Sequence, residues 1–220
     1  MTDYDFHRDG ELQVPSWGPA LVKTRVEQEL IDILLKKGME CRKKNLDHRH
    51  ELAGQIENEY YYEKGFEEWF APKFAKYLDA YIHKTEELVS DAFIQKKQPF
   101  GIHITGLWIN YQQANEYNPP HNHIGDVSFV LYLQVPQEIK KENEEMQGGH
   151  NNAGPGTIHF DFPGIQLPFC GTTVVHLPEV GDLFMFPSWL MHHVPSFTSN
   201  VERISVSGNM TFEDEVKVKG

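Results

Sequence analysis

Apolar residues along this chain recur with two different periods, and the period changes at Pro99. In the first half, Val22, Val26, Leu30, Ile33 and Leu34 follow helical spacing behind Pro19, a residue suited to a first helical turn. Lys36 and Lys37 followed by Gly38 form a helix stop, so the first predicted helix runs from Pro19 to Gly38. A second is predicted from Phe66, carried by Phe70, Phe74, Tyr77, Leu78, Tyr81 and Leu88, with Pro72 in its first turns. Between them, residues 45–62 are polar and poorly periodic.

Beyond Pro99 the chain breaks into short β runs punctuated by Gly, Pro and Asn. Leu107, Ile109 and Tyr111 alternate with Trp108 and polar residues, and Val127, Phe129, Leu131, Leu133 and Val135 give the clearest strand. Further strands are predicted at Thr157–Phe162, Thr172–Leu177, Leu183–Phe186 and Arg203–Met210. Residues 136–156 are charged, glycine-rich and poor in apolar side chains, and read as a mobile surface loop: a solvated insertion, with an active-site lid as the alternative. The pattern predicts an α+β protein, two long helices packed on one sheet of a β-sandwich, as one domain over 1–220 with a helical part at 1–98 and a β core at 99–220.

Composition narrows the function classes. The 220 residues are 40% hydrophobic and 24% charged, which suits a folded domain. With 20 Lys+Arg against 32 Asp+Glu the net charge is -12, which repels phosphate backbones and argues against a general nucleic-acid binder. The polar stretch Met1–Gly10 has no secretory character, and no apolar run is long enough to span a bilayer. Cys41 and Cys170 match no metal or redox spacing, so reduced thiols in a cytoplasmic protein are expected.

The chemistry-bearing residues sit in the β half. His121 and His123, in the run Pro119–Asp126, share one face if extended, and His192 on a separate strand could join them around one metal. Three ligands from one side leave other coordination positions open, as chemistry requires. Arg203, Ser205 and Ser207 also share a face, and a guanidinium beside a hydroxyl is a clamp for a carboxylate. His193 is expected to point away from His192, and His48, His50, His103, His150, His159 and His176 are read as structural or exposed.

The order His121, His192, then Arg203-Ile204-Ser205 eleven residues later, with the segments FPSWLMHHV and RISVSGN, resembles the 2-oxoglutarate/Fe(II)-dependent oxygenases, and among them the small bacterial and marine-phage members. The resemblance covers residues 100–212 and, more weakly, the leading helices. It implies a double-stranded β-helix (jelly-roll) core, Fe(II), 2-oxoglutarate and O2, and oxidation of a small-molecule or peptidyl substrate coupled to decarboxylation of 2-oxoglutarate. Arg203 and Ser205 would hold the far carboxylate of 2-oxoglutarate, and Tyr111 stands where prolyl-hydroxylase-like members place a tyrosine on the co-substrate. One position departs from the family's His-x-Asp/Glu: it is His123. The third ligand is therefore His123, Asp126 or water, with His123 preferred over Asp126. A cupin-type metal enzyme acting without 2-oxoglutarate, and a non-catalytic β-sandwich interaction protein, are the competing readings.

Overall fold

The alternating runs of the second half assemble into two antiparallel sheets, joined by two short strands from the first half. The computed structural model describes residues 18–51, 53–88, 100–146, 154–164 and 171–214. In chain order the elements are β1 (Val22–Arg25), α1 (Gln28–Lys44), β2 (Glu59–Tyr61), α2 (Phe66–Leu88), β3 (Phe100–Gln112), β4 (Asn118–His121) and β5 (Val127–Gln134). Then come α3 (Gln137–Glu145), β6 (Ile158–Asp161), β7 (Thr173–His176), β8 (Asp182–Pro187), β9 (Met191–Val194) and β10 (Arg203–Asp214). One sheet has the order β1-β8-β5-β10-β3-β2 and the other β4-β9-β6-β7.

Period 2 divides the core in two. Along β5, Val127, Phe129, Leu131 and Leu133 join the α1 and α2 side chains, while Val130 and Tyr132 face the second sheet. Phe70 and Phe74 of α2 stack on Phe129 at 5.8 and 4.4 Å between ring centroids. Phe184, Phe186, Ile158, Phe160, Leu190 and Val194 fill the space between the sheets.

Three expectations need correction. Residues 22–25 form an edge strand on β8 rather than helix, because Val22, Thr24 and Val26 suit an extended chain and Lys23 thereby reaches the fully buried Asp182 at 3.1 Å. Gly38 does not stop α1. It lies buried within the helix where a Cβ would overlap Ile109 Cδ1 and stand 2.9 Å from the Tyr111 hydroxyl, so its lack of a side chain lets the helix approach β3. The helix ends seven residues later at Asn45, whose left-handed φ of 51° lets Asn45 N–H and Leu46 N–H donate to Arg42 O and Cys41 O.

The stretch read as a loop carries helix α3, anchored by the completely buried Ile139 and by Asn143, which donates to Pro155 O at 3.1 Å. Only two inward positions mark it, too few for a helical period to stand out. Residues 147–153, with His150, lie outside the described residues, as does Cys170.

Gly38→Ala tests the close approach of α1 to the sheet. Helix propensity alone favours alanine by about 1 kcal/mol, yet the overlap with Ile109 should outweigh it and leave the variant about 1–3 kcal/mol less stable. Urea unfolding measures the difference, and a stabilised variant would show that the helix can shift without cost.

Candidate active site

Residues 121 and 192 are direct partners across β4 and β9, so their side chains emerge side by side. His123 lies just past β4, its N–H donating to Ser188 O at 2.9 Å. Gly125 follows with φ +135°, a conformation that suits glycine, and a Cβ there would meet Met210 O at 3.0 Å. The turn so formed brings the three imidazoles together, with ring centroids 4.2 to 5.1 Å apart. One ring nitrogen from each lies within 4.8 Å of the other two, which is the spacing of a metal ligand set.

The surroundings prepare these rings as neutral ligands. His121 Nδ1–H donates to Pro119 O at 2.7 Å and His192 Nδ1–H to Leu190 O at 3.0 Å, so Nε2 carries the lone pair in both. Burial is the main cause that lowers all three pKa values, to about 4 for His123 and about 3 for His192. The indole of Trp108 sits edge-on to His123 at 5.6 Å, and Phe186 flanks His192 at 4.8 Å. Three neutral imidazoles with outer hydrogen bonds suit a first-row divalent metal. Asp126 is not in the cluster: its Oδ2 accepts the Phe212 N–H at 2.7 Å, tying the turn to β10.

Arg203 lines the same cavity as the histidines. It is 4% exposed, donates from Nη1 to Gly156 O at 2.7 Å and from Nη2 to Gln112 Oε1, and lies 5.4 Å from the centre of the Tyr132 ring. Among the described residues no carboxylate pairs with it. Ser205 and Ser207 share its face of β10 and also line the cavity. His193, one residue from His192, points to the other side, where it donates to Asp161 Oδ2 at 2.9 Å and stacks on His159 at 4.3 Å.

Comparison with known proteins bears on the fold and the family it resembles. Residues 106–209 match the family model described as "Putative 2OG-Fe(II) oxygenase". This part of the chain is similar to the 2OG-Fe(II) oxygenase family. Its enzymes are oxidoreductases that use Fe(II), 2-oxoglutarate and O2. No curated protein matches. Among solved structures, a Pseudomonas putida prolyl-4-hydroxylase aligns over 90% of this chain and 94% of its own, with 15% identity and a TM-score of 0.52. A Trichoplax adhaerens prolyl hydroxylase, solved in complex with a hypoxia inducible factor oxygen degradation domain peptide fragment, aligns over 89% of this chain and 84% of its own, with 12% identity and a TM-score of 0.52. At such identities the likeness speaks for the oxygenase fold.

One expected co-substrate contact is corrected by the strand period. Tyr111 faces α1, packed under the Arg42 guanidinium at 4.5 Å and beside Gly38, on the sheet face away from the cavity. Its neighbours on β3, namely Trp108, Asn110 and Gln112, face the cavity instead. Tyr132 of β5, directly opposite Ser205, supplies the tyrosine beside Arg203. These residues were legible as the polar half of an alternating strand, a half more often turned to solvent.

Glu59 on β2 is a further cavity residue that the sequence did not single out. Burial, then the nearby Glu116 charge, push its carboxyl up to about 8 from 4.5. Between those values the unfolded chain has released the proton that the folded chain keeps, so stability falls as pH rises through this window and levels off above it. Glu59→Gln should therefore match the parent near pH 4.5 and exceed its stability by roughly 1–4 kcal/mol at pH 8.5. Urea unfolding at the two pH values checks this, and a constant difference would mean that Glu59 ionises freely in the folded protein.

Proposed function

We propose that the chain is a 2-oxoglutarate- and Fe(II)-dependent oxygenase, with His121, His123 and His192 holding the metal and Arg203 and Ser205 holding the co-substrate. The observation that carries this reading is the convergence of three neutral imidazoles and an acid-free buried guanidinium on one cavity. When bound, Fe(II) supplies coordination of the 2-oxoglutarate carboxylate and keto oxygen and the activation of O2. His121 and His192 present Nε2 in fixed orientation because their Nδ1–H groups are already engaged. Arg203, held by Gly156 and Gln112, presents its remaining N–H donors to the distal carboxylate, with Ser205 and Tyr132 beside it. Apolar walls from Phe186, Val194 and Ile158 limit water around both groups.

Arg203 also separates this reading from the cupin-type alternative, which has no standing need for a diacid clamp. The two sheets suit a double-stranded β-helix over 99–220, with the helices as part of a single domain over 1–220. The prolyl hydroxylase neighbours support a peptidyl substrate alongside a small molecule. Buried, free Cys41 fits a reducing cytoplasmic setting, and no helix among the described residues is long and apolar enough to cross a membrane.

Succinate release from 2-oxoglutarate with added Fe(II) and ascorbate is the direct assay. Arg203→Ala should raise the KM for 2-oxoglutarate by about 100-fold, with Arg203→Lys in between, because lysine cannot reproduce the planar fork. In anaerobic Co(II) titrations, alanine at 121, 123 or 192 should weaken binding by at least about 100-fold. Asp126→Ala should keep metal affinity and lose about 1–3 kcal/mol of stability through the orphaned Phe212 amide. No succinate from the metal-loaded protein, or an unchanged KM in Arg203→Ala, would sink the assignment.

A further inference from the structure

The cavity carries two buried acceptors that 2-oxoglutarate cannot satisfy. Glu59 and Asn110 are direct partners across β2 and β3. Backbone bonds from Tyr111 N–H to Asn58 O (2.9 Å) and from Tyr62 N–H to Leu107 O (3.3 Å) fall on the pairs one step before and three steps after it, so the alternation of the ladder leaves this pair unbonded. Glu59–Asn110 is thus a non-hydrogen-bonded pair, the kind that brings opposed side chains closest, with Cα atoms about 4.5 Å apart. Both residues line the cavity, at 2% and 5% exposure. Among the described residues, Glu59 Oε2 and Asn110 Oδ1 have no hydrogen-bond partner.

Asn110 Nδ2 lies 3.4 Å from both Ser205 Oγ and Ser207 Oγ, so its donor side is turned to β10 and its oxygen is left over. Each buried orphan acceptor costs about 1–3 kcal/mol, a cost that the proton Glu59 keeps offsets in part and that a ligand bringing donors removes. 2-Oxoglutarate offers two carboxylates and a ketone, all acceptors, and Arg203 already provides for it. The pair therefore belongs to the other substrate.

Resting on the oxygenase reading, we infer that Glu59 and Asn110 form the recognition pair for the substrate to be oxidised, and that the group they hold is a cationic nitrogen donor, an amine or a guanidine. A cation suits the site better than a neutral amide. Glu59 makes no ion pair with a lysine or arginine among the described residues, and burial together with Glu116 works against its ionised form. A ligand cation supplies the missing countercharge and two or more N–H groups for the two oxygens. Across the sheet the register aligns Glu59, Asn110, Ser205 and Tyr132 in one row, with Glu59 at its β2 end and Tyr132, beside Arg203, at its β5 end.

The test is calorimetric titration of the Co(II)-loaded protein, with and without N-oxalylglycine in the 2-oxoglutarate position, using four probes that share a four-carbon chain: n-butylamine, n-butylguanidine, butyramide and n-butanol. The two cations should bind at least about tenfold tighter than the neutral pair. Glu59→Gln should lose about tenfold for the cations while its N-oxalylglycine affinity stays within about twofold. Asn110→Ala provides an independent arm and should also weaken cation binding. Cations that bind no tighter than butyramide, or a Glu59→Gln protein with parental cation affinity, would overturn the inference. Failure of N-oxalylglycine to bind the parent protein would instead count against the oxygenase reading, and the probe series without it still decides the role of the pair.

Discussion

A guanidinium enclosed between two apolar layers is tolerable only if its donors are met and something balances its charge. Arg203 meets part of that demand inside the chain, through Gln112 Oε1 and the Gly156 carbonyl, and rests against the Tyr132 ring. Neither oxygen carries a full negative charge. The arrangement therefore holds the arginine in one orientation and leaves its charge to be answered from outside. Much else follows from this constraint: the polar row across the large sheet, the inward-turned half of β3, and the seating of residue 156.

The other end of the cavity is governed by the opposite economy. His192 is buried and His121 and His123 half-buried, without any carboxylate among them, and this desolvation keeps them neutral. Neutral imidazoles are inexpensive to bury when their Nδ1–H groups find backbone carbonyls, as two of these do. The price is electrical: a divalent ion held there receives no compensating charge from the protein. Balance then comes from the dicarboxylate that shares the cavity, so metal and co-substrate should each strengthen the other's binding.

The β half was readable because its period is 2 and its turn residues are frequent. The histidine and arginine positions followed from the same rule, since a two-residue step returns a side chain to the same face. The errors lie where that rule was applied to one half of a strand only. Tyr111 was read for its identity, whereas its parity with Leu107 and Ile109 placed it under α1. Residues 22–25 offered too short a run to separate 3.6 from 2, and pairing with β8 decided the matter. Gly38 carries the sequence mark of a helix end, but the distance from α1 to Ile109 is a tertiary fact that no local signal encodes. Glu59 was hidden for the same reason, because its burial depends on which strand lies beside it.

Helix α3 lies outside the cavity and yet bears on it. Ile139 packs against Gly156, whose carbonyl receives Arg203, and Glu142 accepts hydrogen bonds from the Thr198 and Ser199 backbone just before β10 begins. Sequence drift on its outer surface should be nearly free, whereas Ile139 and Glu142 steer the anchor from a distance. An engineer wishing to re-tune the acid-binding end could thus begin with residues that never meet the ligand.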